Sequence, residues 1–267
     1  MFDVVALGEL LIDFTYAGVS ASGNGLFEQN PGGAPANVLA ACAALGMRTA
    51  FIGKVGADMH GRLLKETLAA RGIDVSNLIE DPDTFTTLAF VKLTDAERSF
   101  SFARKPGADT RLDASELDVS ILEGTRVFHF GSISLTDEPV RSATMRALEI
   151  AKGAGALISY DPNYRASLWE CEEVAIRRMR SVLPLVDLIK ISDEETALLT
   201  GETDPEKAAD VLLGQGIKCA VVTLGSSGAL AKTARGSVQI PACACVPVDT
   251  TGAGDCFWGS FLYALLQ

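Results

Sequence analysis

Short, uninterrupted apolar runs alternate along this chain with longer stretches whose apolar positions return at helical spacing. The runs at 4–7, 50–55, 127–130, 156–160, 185–191 and 220–224 read as strands. Most are continuously apolar rather than alternating, as strands buried on both faces of a parallel sheet are. Helical stretches at 36–45, 61–71, 138–154, 173–182 and 205–215 separate them. Thr136-Asp137-Glu138-Pro139 offers an N-cap, acidic first-turn residues and an early proline, so it predicts a helix start. Strands and helices in this order predict a layered α/β fold on a mostly parallel sheet.

Two segments break the rhythm. Residues 86–93 and 98–103 read as short strands joined by a hairpin-like connection at 94–97. In Ser99-Phe100-Ser101-Phe102 apolar and polar residues alternate, so one face is buried and the other solvated. Residues 13–29 are β-like or loop-like, without helical period. These pieces predict a small antiparallel sheet inserted into the core, as a lid or an ordinary surface hairpin. The expected division is a core of 1–12, 30–85 and 110–267 and a lid of 13–29 and 86–109.

Charge narrows the partners. The chain has 267 residues, 23 Lys and Arg against 34 Asp and Glu, and a formal charge of −11. Such a surface repels phosphate backbones and anionic lipid, which argues against nucleic acid and membrane partners. An anionic substrate then needs a local device to hold it. The apolar N-terminus is interrupted by Glu9 and Asp13 and lacks a basic start, so it reads as a first strand rather than a signal peptide. The six cysteines are scattered without a CxxC pair, and there are only two histidines, His60 and His129. This argues for reduced cysteines in a cytoplasmic protein and against a zinc site. His129 reads as a strand residue and His60 as a helix-start residue.

The anion device is found near the end of the chain. Asp249-Thr250-Thr251-Gly252-Ala253-Gly254-Asp255 runs into the apolar Cys256-Phe257-Trp258-Gly259-Ser260-Phe261-Leu262, which reads as a buried helix. Small residues at the helix start let a ligand approach the backbone, and first-turn N–H groups lack intrahelical acceptors. Those donors and the positive end of the helix dipole bind an anion without a basic side chain. Asp255 falls in the same turn, where a carboxylate can take the proton of an attacking hydroxyl. A second block, Asn30-Pro31-Gly32-Gly33-Ala34-Pro35-Ala36-Asn37, also opens a helix. Its glycines admit a ligand to the backbone, and the Asn37 amide both donates and accepts, which suits a neutral polyol.

Both blocks, in this order, closely resemble the signatures of the PfkB or ribokinase-like carbohydrate kinases. The resemblance implies a ribokinase-like three-layer α/β/α core with a mostly parallel sheet and a small β-sheet lid. It makes Asp255 the catalytic base and gives the transferring phosphate to the amides of Gly252, Ala253 and Gly254. Asp13, Gly32, Gly33 and Asn37 are implied at the sugar, with Asn163 and Arg165 of Asp161-Pro162-Asn163-Tyr164-Arg165 beside them. Arg104 and Asp109, at the end of the lid hairpin, reach the substrate in fructokinase-like relatives. Lys190 and Ser192, with Thr223, Gly225 and Gly228, are implied at the nucleotide. Lys190-Ile191-Ser192-Asp193-Glu194-Glu195 is similar to the family's NxxE motif but carries Ser192 in the asparagine position, leaving Glu195 to act indirectly on Mg²⁺. Asp249 and Thr251 are implied at a monovalent cation such as K⁺.

The likeness runs from Gly8 to Leu266, and several stretches look like bacterial fructokinases: Gly32-Gly33-Ala34-Pro35-Ala36-Asn37, Phe51-Ile52-Gly53-Lys54-Val55-Gly56, Glu97-Arg98-Ser99-Phe100, Gly131-Ser132-Ile133-Ser134 and Asp161-Pro162-Asn163. The expected reaction is transfer of the γ-phosphate of ATP, with Mg²⁺, to fructose. Kinases of 2-keto-3-deoxygluconate and of ribose share both signatures and are the alternatives. In the family a further segment follows the last helix and helps hold adenine and the cation. The sequence here reads only to Gln267, so a truncated, non-catalytic sugar-binding protein is the alternative from another class. A homodimer through the lid is also implied.

Overall fold

The structure is a computed structural model that describes residues 1–93, 98–246 and 249–267. The chain opens with β1 (Phe2–Leu7), β2 (Leu11–Val19), β3 (Gly25–Gly32) and α1 (Ala34–Ala44). Next come β4 (Thr49–Gly56), α2 (Met59–Ala70), β5 (Ile73–Asp81), β6 (Leu88–Leu93) and β7 (Arg98–Ala103). The middle holds α3 (Val119–Glu123), β8 (Thr125–Gly131), α4 (Val140–Gly153), β9 (Leu157–Asp161), α5 (Glu172–Ser181) and β10 (Leu188–Ser192). It closes with α6 (Thr196–Thr200), α7 (Pro205–Gly214), β11 (Cys219–Thr223), β12 (Ala229–Thr233), β13 (Gly236–Ile240) and α8 (Ala253–Leu266).

Among the described residues, nine strands form one sheet in the order β13-β12-β11-β10-β9-β8-β1-β4-β5. All pairs from β11 to β5 are parallel, and β12 and β13 add antiparallel at the far edge. Side chains of a strand alternate between faces. Val4 and Ala6 of β1 therefore pack with Leu39, Leu64 and Trp258 of α1, α2 and α8. Val5 and Leu7 face the other side, with Leu148, Met179 and Leu212 of α4, α5 and α7. Helices on both faces explain why the strands are apolar throughout. The predicted three-layer core is the one observed.

The departures have local causes. β5 escaped the pattern because it is an edge strand with several half-exposed positions, and β13 because it is exposed along its whole length. The helix expected from 138 begins at Val140. Its foreseen caps are taken by Arg104, whose Nη1 donates to Thr136 Oγ1 at 2.9 Å and to Asp137 Oδ2 at 3.2 Å. The apolar run from 185 starts as a tight turn, Leu183–Leu185, and becomes strand only at Leu188. Between them Asp187 is committed to β9, accepting the Ile158 N–H at 2.9 Å.

The second sheet has the order β3-β2-β6-β7. It was expected to be antiparallel and is mixed: β2–β3 and β6–β7 are antiparallel, but the central β2–β6 pair is parallel. The two hairpins follow β1 and β5, which run in the same direction, so their leading strands emerge side by side. The connection at 94–97 and the side chains of Ser99 and Phe100 lie outside the described residues.

From β1 the chain fills one side of the large sheet with β4 and β5, then crosses to β8 and fills the other. The C-terminal ends of β1 and β8 therefore flank a topological switch point, where open α/β sheets place their ligands. Among the described residues no helix is long and apolar enough to cross a membrane.

Candidate active site

Two helix starts are brought together by one glycine. α1 and α8 lie side by side, and a Cβ on Gly259 would stand 2.6 Å from the Val38 carbonyl oxygen and 2.7 Å from Ala41 Cβ. Only a bare backbone permits that approach. Cys42 Sγ also donates to the Gly259 carbonyl at 3.4 Å. From the opposite side, Trp258 Nε1 donates to Ser159 Oγ of β9 at 2.9 Å, and the same hydroxyl meets His129 Nδ1 at 3.0 Å. Burial pushes the His129 imidazole down to about 4, so it is neutral at physiological pH and serves this packing. His60 instead follows the cap of α2 and meets Gln29. The first turn of α8 is thereby fixed against both α1 and the sheet.

At this junction Asn37 Nδ2 donates to Asp255 Oδ2 at 2.9 Å, and Asn163 Nδ2 stands 3.5 Å from Asp255 Oδ1. Asp255 is only 6% exposed. A cavity of about 200 Å³ opens beside it, lined by Asp13, Gly33, Asn37, Asn163, Arg165 and Lys190, with Thr250, Thr251, Gly252 and Gly254 at its floor. Lid residues Leu11 and Phe102 complete the wall. Gly252 is left-handed and caps α8, and Cys256 N–H makes a helical bond to the Gly252 carbonyl at 2.8 Å. The amides of Gly254 and Asp255 precede that bond, as first-turn donors do. The Ala253 amide, also expected at the phosphate, donates to the Thr250 carbonyl at 3.2 Å.

The N-terminal block is built around close contacts. A Cβ on Gly32 would sit 2.2 Å from Asp13 Oδ2, and one on Gly33, with φ at 121°, would sit 2.4 Å from the Glu9 carbonyl oxygen. Gly32 thus makes room for the Asp13 carboxylate, and Gly33 lets the chain turn into α1. Glu9 Oε1 accepts the Ala34 N–H at 2.9 Å and steadies that turn.

Burial sets the electrostatics. It pushes the Asp255 carboxyl up to about 6, helped by the Asp161 charge and opposed by the Asn37 amide, Lys190 and Arg165. Asp13 is also raised by burial to about 6, against the pull of Arg165, and Glu9 to about 7. Lys190 donates to Asp161 Oδ2 at 2.8 Å, and its Nζ would lie 2.9 Å from a Cβ on Gly254. Burial alone would lower this ammonium, but Asp161, Glu195 and Asp255 together hold it above its ordinary value. A cation is therefore fixed against the first turn of α8.

A second cavity of about 540 Å³ lies on the other side of that turn, lined by Thr223, Gly225 and Gly228 with Ala231, Ile240 and Phe257. Gly254 lines both cavities. The larger one is an apolar slot, suited to a flat ring system with few polar demands. Thr251 borders the smaller cavity, and Asp249 Oδ1 accepts from its amide and hydroxyl, both at 2.8 Å.

Other expected residues fall elsewhere. Arg104 and Asp109 do not line the sugar-sized cavity; they pair with each other at 2.7 Å, both buried. Asp109 also accepts from Thr87, and Arg104 Nη2 donates to the Ile133 carbonyl at 3.3 Å. The guanidinium fork is thus taken up in bracing the base of the lid. Glu195 spends its carboxylate on nearby protein donors: Oε1 accepts Tyr164 N–H at 2.7 Å, and Oε2 accepts Ser192 N–H at 2.8 Å and the Ser192 hydroxyl at 3.1 Å. Burial, then the Asp161 charge, hold it above the ordinary carboxylate range. Ser192 serves this cap. Among the described residues no cluster of His, Cys, Asp and Glu forms a cage for a metal.

Sequence reasoning assigned no role to Glu9, Asp161 or Phe102, and the first two carried a signal. Glu9 interrupts an apolar N-terminus, and Asp161 directly follows the apolar run at 156–160.

The comparisons agree with this geometry. The model of the pfkB family carbohydrate kinases matches residues 1–267. Fructokinase-1 of Oryza sativa subsp. japonica is 46% identical over 99% of this chain and 83% of its own length. The fructokinase of Xylella fastidiosa with bound ATP superposes with a TM-score of 0.91 at 31% identity, covering 100% of this chain and 82% of that one. A double mutant of the Vibrio cholerae fructokinase, with fructose, ADP and potassium ion bound, gives 0.90 at 36% identity, covering 99% and 84%. Whole-length likeness, a shared fold and a buried acid at a glycine-rich helix start lead to one conclusion: the chain belongs to the pfkB family of carbohydrate kinases.

Proposed function

We propose that this carbohydrate kinase transfers the γ-phosphate of ATP to fructose, at the 6-hydroxyl. The observation that carries the reading is the placement of Asp255 between Asn37 and Asn163, at a helix start that borders both cavities. The smaller cavity takes the sugar. Its lining has three carboxyls, Glu9, Asp13 and Asp255, against the two cations Arg165 and Lys190. A keto acid would bring another negative charge to that wall, whereas a neutral ketose offers hydroxyls to its acceptors. The substrates of the similar fructokinases point the same way.

The apolar slot takes adenine, so that the triphosphate ends at Gly254. There the amides of Gly254 and Asp255 and the Lys190 ammonium stabilise charge on the transferring phosphoryl group, the main demand of such a reaction. Asp255 accepts the proton of the attacking hydroxyl while Asp13 and Asn37 orient the sugar. Mg²⁺, when bound, neutralises phosphate charge. The phosphates and water would supply most of its ligands, as they commonly do for Mg²⁺. Asp249 and Thr251 are the residues offered to a monovalent cation. The lid dimer would cover the exposed Tyr16, Leu26, Phe27 and Phe90, and sedimentation analysis tests it. Six free cysteines suit a cytoplasmic enzyme.

The test is a coupled ADP-release assay with Mg²⁺-ATP and fructose, ribose, 2-keto-3-deoxygluconate or nucleosides. Fructose should give the highest kcat/KM. Preference for another acceptor overturns the substrate, and sugar binding without ADP release from any acceptor overturns the kinase reading.

A further inference from the structure

We propose that Asn163 and Glu195 act as one positioning device that holds the catalytic base, Glu195 fixing the backbone of Asn163 and Asn163 presenting its amide to Asp255. This goes beyond the reaction proposed above and rests on it for the identity of the base.

Asn163 is the one non-glycine residue with positive φ, 46°, among the described residues. Asn adopts that conformation more readily than other residues with a Cβ, and here the surroundings fix it. Two bonds do so here. The carbonyl of Pro162 accepts Ser132 N–H at 3.0 Å, and the next amide, Tyr164 N–H, donates to Glu195 Oε1 at 2.7 Å. The other Glu195 oxygen is anchored on the end of β10 through Ser192. One buried carboxylate therefore straps the turn after β9 to the neighbouring strand, with both oxygens spent on protein donors.

The strap has a consequence at the base. With its backbone left-handed, Asn163 lays Nδ2 3.5 Å from Asp255 Oδ1, while Asn37 holds Oδ2 at 2.9 Å from the other side. A carboxylate gripped at both oxygens cannot swing, so its remaining lone pairs keep one direction. The longer contact is the kind that tightens once substrate is bound. Glu195 acts at second hand, through the main chain, and Asn163, which lines the smaller cavity, acts on the base through its amide.

Asn163→Gly, Glu195→Gln and the double variant test this. Glycine keeps the left-handed backbone and removes only the amide. Asn163→Gly should lower kcat about tenfold to a hundredfold, the scale of a slightly misplaced catalytic group. KM for sugar and ATP should stay within about twofold, as expected when only transition-state alignment is lost. Glu195→Gln should lose kcat similarly, and the double variant should be no worse than the poorer single one, since both cut one link. A rise in sugar KM at unchanged kcat overturns the proposal, because Asn163 would then be a sugar ligand. Additive losses overturn it too, because Glu195 would then act elsewhere. Crystal structures of wild type and Glu195→Gln read the link without turnover. Loss of the Asn163–Asp255 contact in the variant supports it, and an unmoved Asn163 overturns it. If circular dichroism finds Glu195→Gln unfolded, the kcat and KM split of Asn163→Gly decides alone. Wild type inactive on every sugar sinks the kinase reading instead, and the crystal structures still decide this one.

Discussion

The two cavities that meet at Gly254 solve opposite problems. The smaller holds Asp13, Asp255, Glu9, Arg165 and Lys190, and its carboxyls are raised by burial. The larger is walled by Ala231, Val238, Ile240, Phe257 and Phe261. A polar cavity selects by where each lone pair and proton points, so small displacements are costly. An apolar slot selects by shape, and its energy is spread over many weak contacts. In the proposed reading, chemistry therefore belongs with the smaller cavity and affinity with the larger.

The sharpest way to break this comparison is Asp255→Asn, which keeps the shape but removes the base. It should lower kcat by about 10² to 10⁴, with sugar and nucleotide binding retained in calorimetry. Next comes Gly33→Ala, which must place a Cβ near the Glu9 carbonyl at a φ of 121°. Strain of about 1–3 kcal/mol should raise the sugar KM about tenfold or more, while the ATP KM stays put. Acid should act on the same cavity. Asp255 and Asp13 are both raised to about 6, and the base works only when ionised, so activity should fall as pH drops through 6. The loss should approach about tenfold per pH unit below it, while adenosine binding, which meets no carboxylate among the described residues of the slot, stays flat. The mildest effect belongs to Ala231→Leu in the slot. Overpacking by about 1 kcal/mol should raise the ATP KM about fivefold and leave the sugar KM alone. A change confined to the sugar KM would mean the cavities are assigned the wrong way round.

The residues brought together at this junction were largely legible because each half of it is local. Gly252 to Asp255 and Gly32 to Asn37 are helix starts whose conformational demands are written in neighbouring residues. Arg104 was read at the substrate and is found in a buried pair, because a guanidinium can serve equally in either place and only the partner decides. Glu195 was singled out as acting indirectly on Mg²⁺, whereas its partners are main-chain amides from two separate turns and the Ser192 hydroxyl. The small sheet was recognised from its alternation, yet its central parallel pair depends on how two distant hairpins leave the core.

By itself the sequence determined the layered α/β class, most of the strands and helices, and the two glycine-rich helix starts, because period, capping and chain turns are short-range effects. Tertiary structure decided that those starts meet. Gly259 lets α1 and α8 touch, which places Asn37 on Asp255, and strand order brings the turn after β9 to the same acid. Such contacts join residues remote in sequence, and which neighbour a polar group finds depends on the packing of the whole sheet.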